Sequence, residues 1–333
     1  VREGGLSCVR CGGEFPIVDG IAELMPNPPE FVVRESAGLD RFAEEMRADG
    51  WDRERILALP DVDLPYWQGQ ARAMRALLET VAFAPGRRLL DVGSNTCWAS
   101  NIFAARGLEV VALDISTNDL QGLRAADYFL DRGDVFFERM RSVMFAPALA
   151  SESMDYVFCC EVLHHNDSAH LERTLHELYR VLRPGGRLLV INEPLRFPLL
   201  LKRDHGSEVA QFEGNEHVYF LHQYYFAARR AGFEVTIPAL RKSQDPANSS
   251  LKSFYRFGRS LWRNLISGDT ALMMDCTRGA GAGHMAGGGG SPRPQAGPNH
   301  RCRSRPHGRR RWVPPAAGRI VSLIRGRGKT GDE

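Results

Sequence analysis

Two short apolar runs, each carrying a carboxylate at its end, lie within residues 87–115 (RRLLDVGSNTCWASNIFAARGLEVVALDI) and constrain the fold more than any other stretch. Leu89, Leu90 and Val92 form the first run, which holds Asp91 and stops at Gly93; Val110, Val111, Ala112 and Leu113 form the second, which closes on Asp114. Apolar runs of this length, bounded by turn residues, read as strands, and the stretch from Trp98 to Arg106 between them reads as a crossover helix. The prediction is a β-loop-α-β unit in an open parallel sheet, whose ligand crevice lies at the carboxyl ends of the strands. An acid about 20 residues beyond the first strand suits a ribose, because one carboxylate can accept both hydroxyl protons. A nucleoside-containing ligand follows. A dinucleotide does not: the loop has one glycine, and Trp98 stands where the third glycine of G-x-G-x-x-G would fall.

Four later segments extend the pattern. Residues 154–165 (MDYVFCCEVLHH) read as a buried strand that exits into Glu161, His164 and His165. Residues 181–194 (VLRPGGRLLVINEP) hold a helix end, a Pro-Gly-Gly turn, another strand, and an exit through Glu193. Residues 228–235 (ARRAGFEV) and 271–277 (ALMMDCT) follow, in the places where the family named next has its sixth and seventh strands. Together with the first unit, these motifs resemble the class I S-adenosylmethionine-dependent methyltransferases, closest to the group of quinone and small-molecule methyltransferases. Gly93 matches the first glycine of that family's D-x-G-x-G-x-G loop, while Asn95 and Cys97 replace the other two. Asn tolerates a positive φ better than most residues; Cys does not.

The resemblance implies an α/β fold: a three-layer, Rossmann-like, seven-stranded sheet over residues 66–278 with a small N-terminal β appendage, and S-adenosylmethionine as cofactor. It implies that Asp91, Gly93, Ser94 and Asn95 form the loop under the methionine part, with Asp114 on the ribose and Ile115 against the adenine. Family members place an acid after the third strand to contact the adenine amine. Here Arg139, Met140 and Arg141 fall on that pattern, so the carboxylate is missing and Met140 is left to pack on the ring. The sulfonium is already activated, so a base is needed only where the nucleophile must lose a proton. His165 and Glu193 are the candidates, and His217, Tyr219, His222 and Tyr224 fall where the family builds its substrate pocket. The acceptor is expected to be a small molecule methylated at oxygen, carbon or nitrogen. A ribosomal RNA methyltransferase and a non-catalytic binding protein of the same fold are the alternatives.

The flanks differ from this body. Cys8 and Cys11 form a C-x-x-C knuckle, and residues 1–30 resemble the second half of a zinc ribbon; two thiolates leave Zn²⁺ half ligated, so no metal is expected. Residues 31–65 read as a helical linker or lid, with a charged helix over 38–59, and the apolar spacing of 66–83 predicts a core helix that starts with Tyr66 and Trp67. From 278 to 333 there are twelve basic and two acidic residues, which leaves 31 basic and 38 acidic before it. Residues 279–333 therefore read as a disordered basic tail rich in Gly, Pro and Arg. A basic arm can bind nucleic acid, but the acidic body argues against a surface that tracks phosphates. No apolar run nears the roughly 18 residues of a membrane span. The seven scattered cysteines form no disulfide framework, and a cytoplasmic protein is expected.

Overall fold

The computed structural model describes residues 3–8, 12–195, 217–237 and 271–279. Cys11 and the tail beyond Gly279 lie outside them. Ten strands form one sheet: β1 (Gly4–Ser7), β2 (Glu14–Val18), β3 (Ile21–Glu23), β4 (Arg88–Val92), β5 (Glu109–Asp114), β6 (Glu138–Arg141), β7 (Met154–Cys160), β8 (Leu182–Pro194), β9 (Phe233–Thr236) and β10 (Ala271–Arg278). Their order across the sheet is β1-β2-β3-β6-β5-β4-β7-β8-β10-β9. From β6 to β9 this is the seven-stranded sheet expected from the motifs. β5 and β6 run parallel to β4 on one side, β7 and β8 on the other, and β10 is antiparallel to both β8 and β9.

Alternation along the central strands explains the three layers. Leu90, Val92, Val111, Leu113, Val157, Cys159, Leu188 and Val190 face one apolar layer, which helices α6 (Ser168–Val181) and α7 (Leu221–Arg230) complete. Leu89, Val110, Ala112, Phe158, Leu189 and Ile191 face the other layer, which α3 (Pro65–Thr80), α4 (Trp98–Ala104) and α5 (Ala126–Leu130) help close. In α6, Leu171, Thr174, Leu175, Leu178 and Val181 recur at helical spacing and are buried, and the Asp167 side chain caps its start.

The N-terminal strands are not a separate appendage. β3 pairs in parallel with β6, so the hairpin lengthens the main sheet. Arg139 and Arg141 explain why. The Arg139 guanidinium donates to the Asp19 and Leu123 carbonyls (2.8 and 3.1 Å) and pairs with Asp127 (2.9 Å). Arg141 donates to the Ile115 carbonyl (2.9 Å) and meets Glu23 of β3. The residues that break the family's pattern after strand three thus tie the hairpin to the sheet edge.

The chain between hairpin and sheet forms α1 (Glu30–Ala48) and the short α2 (Arg53–Leu57). Arg47 pairs with Asp119 (2.7 Å), and Asn118 donates to Asp40 (3.0 Å), which fixes α1 beside the loop after β5.

Candidate active site

The sheet changes direction between β4 and β7, since the chain goes from β4 outward to β5 and β6 and then returns to β7. Crevices form at such switch points, outside the carboxyl ends of the strands. A cavity of about 1250 Å³ opens there, bounded by α1, the start of α3, and the loops after β4, β5, β6 and β7.

The loop after β4 forms its floor. Gly93, Asn95 and Cys97 all adopt the left-handed conformation, with φ of 66°, 45° and 59°. The two residues that replace glycines therefore keep the backbone course that glycines would give, each at a conformational cost. Gly93 is required for a second reason: a Cβ there would lie 2.2 Å from Val162 Cγ2, in the loop after β7. The Gly93 and Ser94 amides donate to the Leu113 carbonyl at 2.9 and 3.0 Å, which joins the loop to the end of β5.

Asp114 braces the same loop. Its carboxylate accepts the Asn95 amide (2.8 Å) and the Ser116 amide (2.9 Å). A carboxylate offers about four lone-pair sites, so two such bonds leave capacity for a ligand in the cavity it lines. Burial pushes Asp114 up to about 6, against the backbone hydrogen bonds that favour its charge. Asp91 is buried and accepts the Ser100 hydroxyl (2.6 Å). Its burial, opposed by that bond and reinforced by the Asp114 charge, pushes it up to about 7. Dehydrated carboxylates of this kind favour a positively charged ligand.

Asp91, Gly93, Ser94, Asn95, Asp114 and Ile115 all line the cavity. Met140 does not. It turns into the core with Leu90, Val111 and Leu113, because it sits on the face of β6 opposite Arg139 and Arg141. Ser142, Val143, Met144 and Phe145 form the wall at that point.

Glu193 also needs correction as a base. It is fully buried and absent from the cavity wall. One oxygen accepts the Val162 and Leu163 amides (2.8 Å each); the other accepts the His164 amide (3.2 Å), meets His164 Nδ1 (3.0 Å), and lies 3.4 Å from the Tyr224 hydroxyl. Burial alone would raise its pKa, but the bonds from His164 and the two amides outweigh it and hold the carboxyl below its ordinary value. This group shapes the turn after β7. Tyr219, donating to the Asn166 carbonyl (2.5 Å), and Tyr224 likewise support that turn and do not line the cavity; His217 and His222 also lie outside its lining, where only the intervening Val218 contributes.

His165 does line the cavity, with Nδ1 2.9 Å from Glu35 Oε1 of α1. Glu35 was not marked by the sequence, because one acid on a charged helix carries no motif. Glu161, Gln70 and Asn192 were missed similarly. Glu161 ends β7 with φ of 49° and accepts the Tyr66 hydroxyl (2.5 Å). Gln70 accepts from Asn192 Nδ2 (2.6 Å) and Cys160 Sγ (3.1 Å). Tyr66 stands edge-on to Trp67, and Trp67 edge-on to Trp98, with ring centroids 5.2 and 6.1 Å apart. Tyr66 thus links the aromatic rings to the polar residues at this end of the cavity.

Known proteins resemble the central part of this chain. Residues 90–190 match the family model described as a methyltransferase domain. The chain is 36% identical over 125 residues to a demethylmenaquinone methyltransferase of Renibacterium salmoninarum, covering 37% of this chain and 48% of that one. It is 36% identical over 108 residues to a malonyl-[acyl-carrier protein] O-methyltransferase of Serratia marcescens, covering 32% of this chain and 38% of the relative. The matched part therefore spans about half or less of these relatives. Among solved structures, the YcgJ protein of Bacillus subtilis aligns with a TM-score of 0.48 at 13% identity, over 63% of this chain and all of that one.

Proposed function

We propose, for a chain whose residues 90–190 match a methyltransferase domain, that it binds S-adenosylmethionine as a class I enzyme and transfers the methyl group to a small-molecule acceptor. The observation that carries this is the loop after β4: three left-handed residues, one pressed against Val162, fixed to the β5 acid at the switch point of the sheet. The cofactor supplies an activated methyl group, so the protein's task is chiefly alignment. Gly93, Ser94 and Asn95 would seat the methionine part, with Asp91 behind them. Asp114 would take the ribose hydroxyls and Ile115 would cover the adenine, beside Ser142 and Val143.

The acceptor would lie toward the carboxyl end of β7, beside the Tyr66 and Trp67 rings and the polar residues there. His165, next to Glu35, is the histidine placed to exchange a proton there. Among the described residues, no helix is long and apolar enough to cross a membrane.

Isothermal calorimetry with S-adenosylmethionine tests the core of this reading. Micromolar binding is expected, weakened at least tenfold by Asp114→Ala. No heat of binding at millimolar ligand would remove the methyltransferase reading; undiminished affinity in the variant would remove only the ribose assignment.

A further inference from the structure

The acceptor end of the cavity contains a carboxylate whose surroundings suit one class of nucleophile, provided the methyl-transfer reading holds. Glu161 stands where β7 leaves the sheet, one residue before the Val162 that touches Gly93. Its left-handed backbone is a costly choice for a non-glycine residue, and it points this side chain into the cavity. One oxygen accepts the Tyr66 hydroxyl. Gln70, which accepts from Asn192 and Cys160, lies close enough to favour the charged form of Glu161. These contacts leave lone pairs open on a carboxylate that faces space. The described lining as a whole is acidic: Glu35, Glu45, Asp49, Asp91, Asp114 and Glu161 against the single guanidinium of Arg72.

We propose that Glu161 receives the methyl acceptor as an ammonium ion and takes its proton, so that the substrate class is an amine on a small apolar or aromatic body. The charge balance favours this over a hydroxyl. Proton transfer from ammonium to carboxylate destroys two charges, and burial, which penalises charge, drives it forward. Transfer from a phenol or alcohol only moves a negative charge from one oxygen to another, so burial gives no help. A carboxylate acceptor would add a further negative charge to an acidic wall. The Tyr66, Trp67 and Trp98 rings favour the same choice, since a cation is attracted to aromatic faces and edges bury its organic body.

The step balances. The ammonium gives its proton to the Glu161 carboxylate, leaving a neutral amine and a carboxylic acid. The nitrogen lone pair then forms the N–C bond to the methyl carbon as the C–S pair withdraws onto sulfur. The products are a methylated ammonium and a neutral thioether, and Glu161 returns its proton to solvent when they leave.

Burial pushes Glu161 up to about 7, with the Tyr66 hydrogen bond opposing and the Glu193 charge adding to the rise. The titratable groups around it are Tyr66 on α3, Cys160 on its own strand, His165 in the following turn, and Glu193 on β8. Only an ionised Glu161 can pair with a cation, so amine binding should be full above pH ~7 and weaken about tenfold per pH unit below it.

The test uses protein saturated with S-adenosylhomocysteine and titrated with benzylamine, benzyl alcohol or phenylacetate, read by the fluorescence of the cavity tryptophans. Benzylamine should bind at least tenfold more tightly than the other two at pH 8, with the stated loss at low pH. Glu161→Gln should weaken benzylamine at least tenfold and flatten its pH dependence, with homocysteine-cofactor affinity within threefold of the parent. Equal or tighter binding of the alcohol or the acid, no amine binding, or an unchanged pH profile in the native protein overturns the proposal without need of a variant. Failure of S-adenosylhomocysteine itself to bind would instead overturn the methyltransferase reading beneath it.

Discussion

Glu161 and Glu193 end adjacent strands of the same sheet, yet their environments push them in opposite directions. Glu193 is surrounded by amides, a histidine and a tyrosine, and its charge is held. Glu161 has the Tyr66 hydroxyl and Gln70, and loses most of its water to the cavity wall, so its pKa rises to about 7. Burial acts on both; the number and geometry of donors decides which form wins. The first carboxylate is part of the frame, and the second is available for chemistry.

That contrast is most severely tested by Glu193→Ala. Removing the carboxylate strands buried amides and the His164 ring, which should cost about 3 kcal/mol or more. Urea denaturation would measure it, and a loss below about 1 kcal/mol would show that water or relaxation substitutes for the side chain. Next in size is Gly93→Ala, where a Cβ meets Val162 at 2.2 Å on a backbone with φ of 66°. The floor must shift, so cofactor affinity should drop by tenfold or more with only about 1–3 kcal/mol lost from stability. Calorimetry beside denaturation separates the two effects.

The pH dependence sharpens the comparison with opposite signs. A carboxyl held below its ordinary value stabilises the native state above the ordinary carboxylate range, and that contribution is lost as pH falls through it. Glu193 is of this kind. A carboxyl raised in the folded state carries no penalty below the ordinary range, and stability is lost as pH rises through its folded value. Glu161, at about 7, is of this second kind. Glu161→Gln should therefore match the parent's stability at pH 5 and equal or exceed it at pH 8, by about 1 kcal/mol. Paired denaturation curves at the two values check this; a variant less stable at pH 8 than at pH 5, relative to parent, contradicts the burial argument. The smallest effect is expected at Cys97→Gly. Relief of the left-handed strain and loss of a buried thiol nearly cancel, leaving a change within about 1 kcal/mol in a thermal melt.

Much of the frame was readable along the chain, because a buried strand must be apolar on both faces and its turn residues follow local backbone rules. Val110 to Leu113 closing on Asp114 could form little else, and the placement of Gly93, Asn95 and Asp114 in the cavity follows from that unit. The site's other half was not readable in this way. Met140 looked like a ring contact by position, but strand alternation turned it inward. Glu193 looked like a base because it ends a strand, and the fold surrounded it with donors. Conversely, Glu35 has no motif around it, and the exit motif that holds Glu161 says nothing of its role, since both act through contacts with residues 130 and 95 positions away, His165 and Tyr66.

The β-loop-α-β unit and the carboxylates at the strand ends are properties of the sequence alone, and its later motifs imply seven strands through their resemblance to a known family. These depend on hydrophobic period and turn chemistry, which are local. Tertiary structure alone decided that the N-terminal hairpin joins the sheet through Arg139 and Arg141, that α1 brings Glu35 to His165, and which strand-end carboxylate keeps its charge. Solvation and hydrogen-bond supply belong to the assembled surroundings, and no single segment carries them.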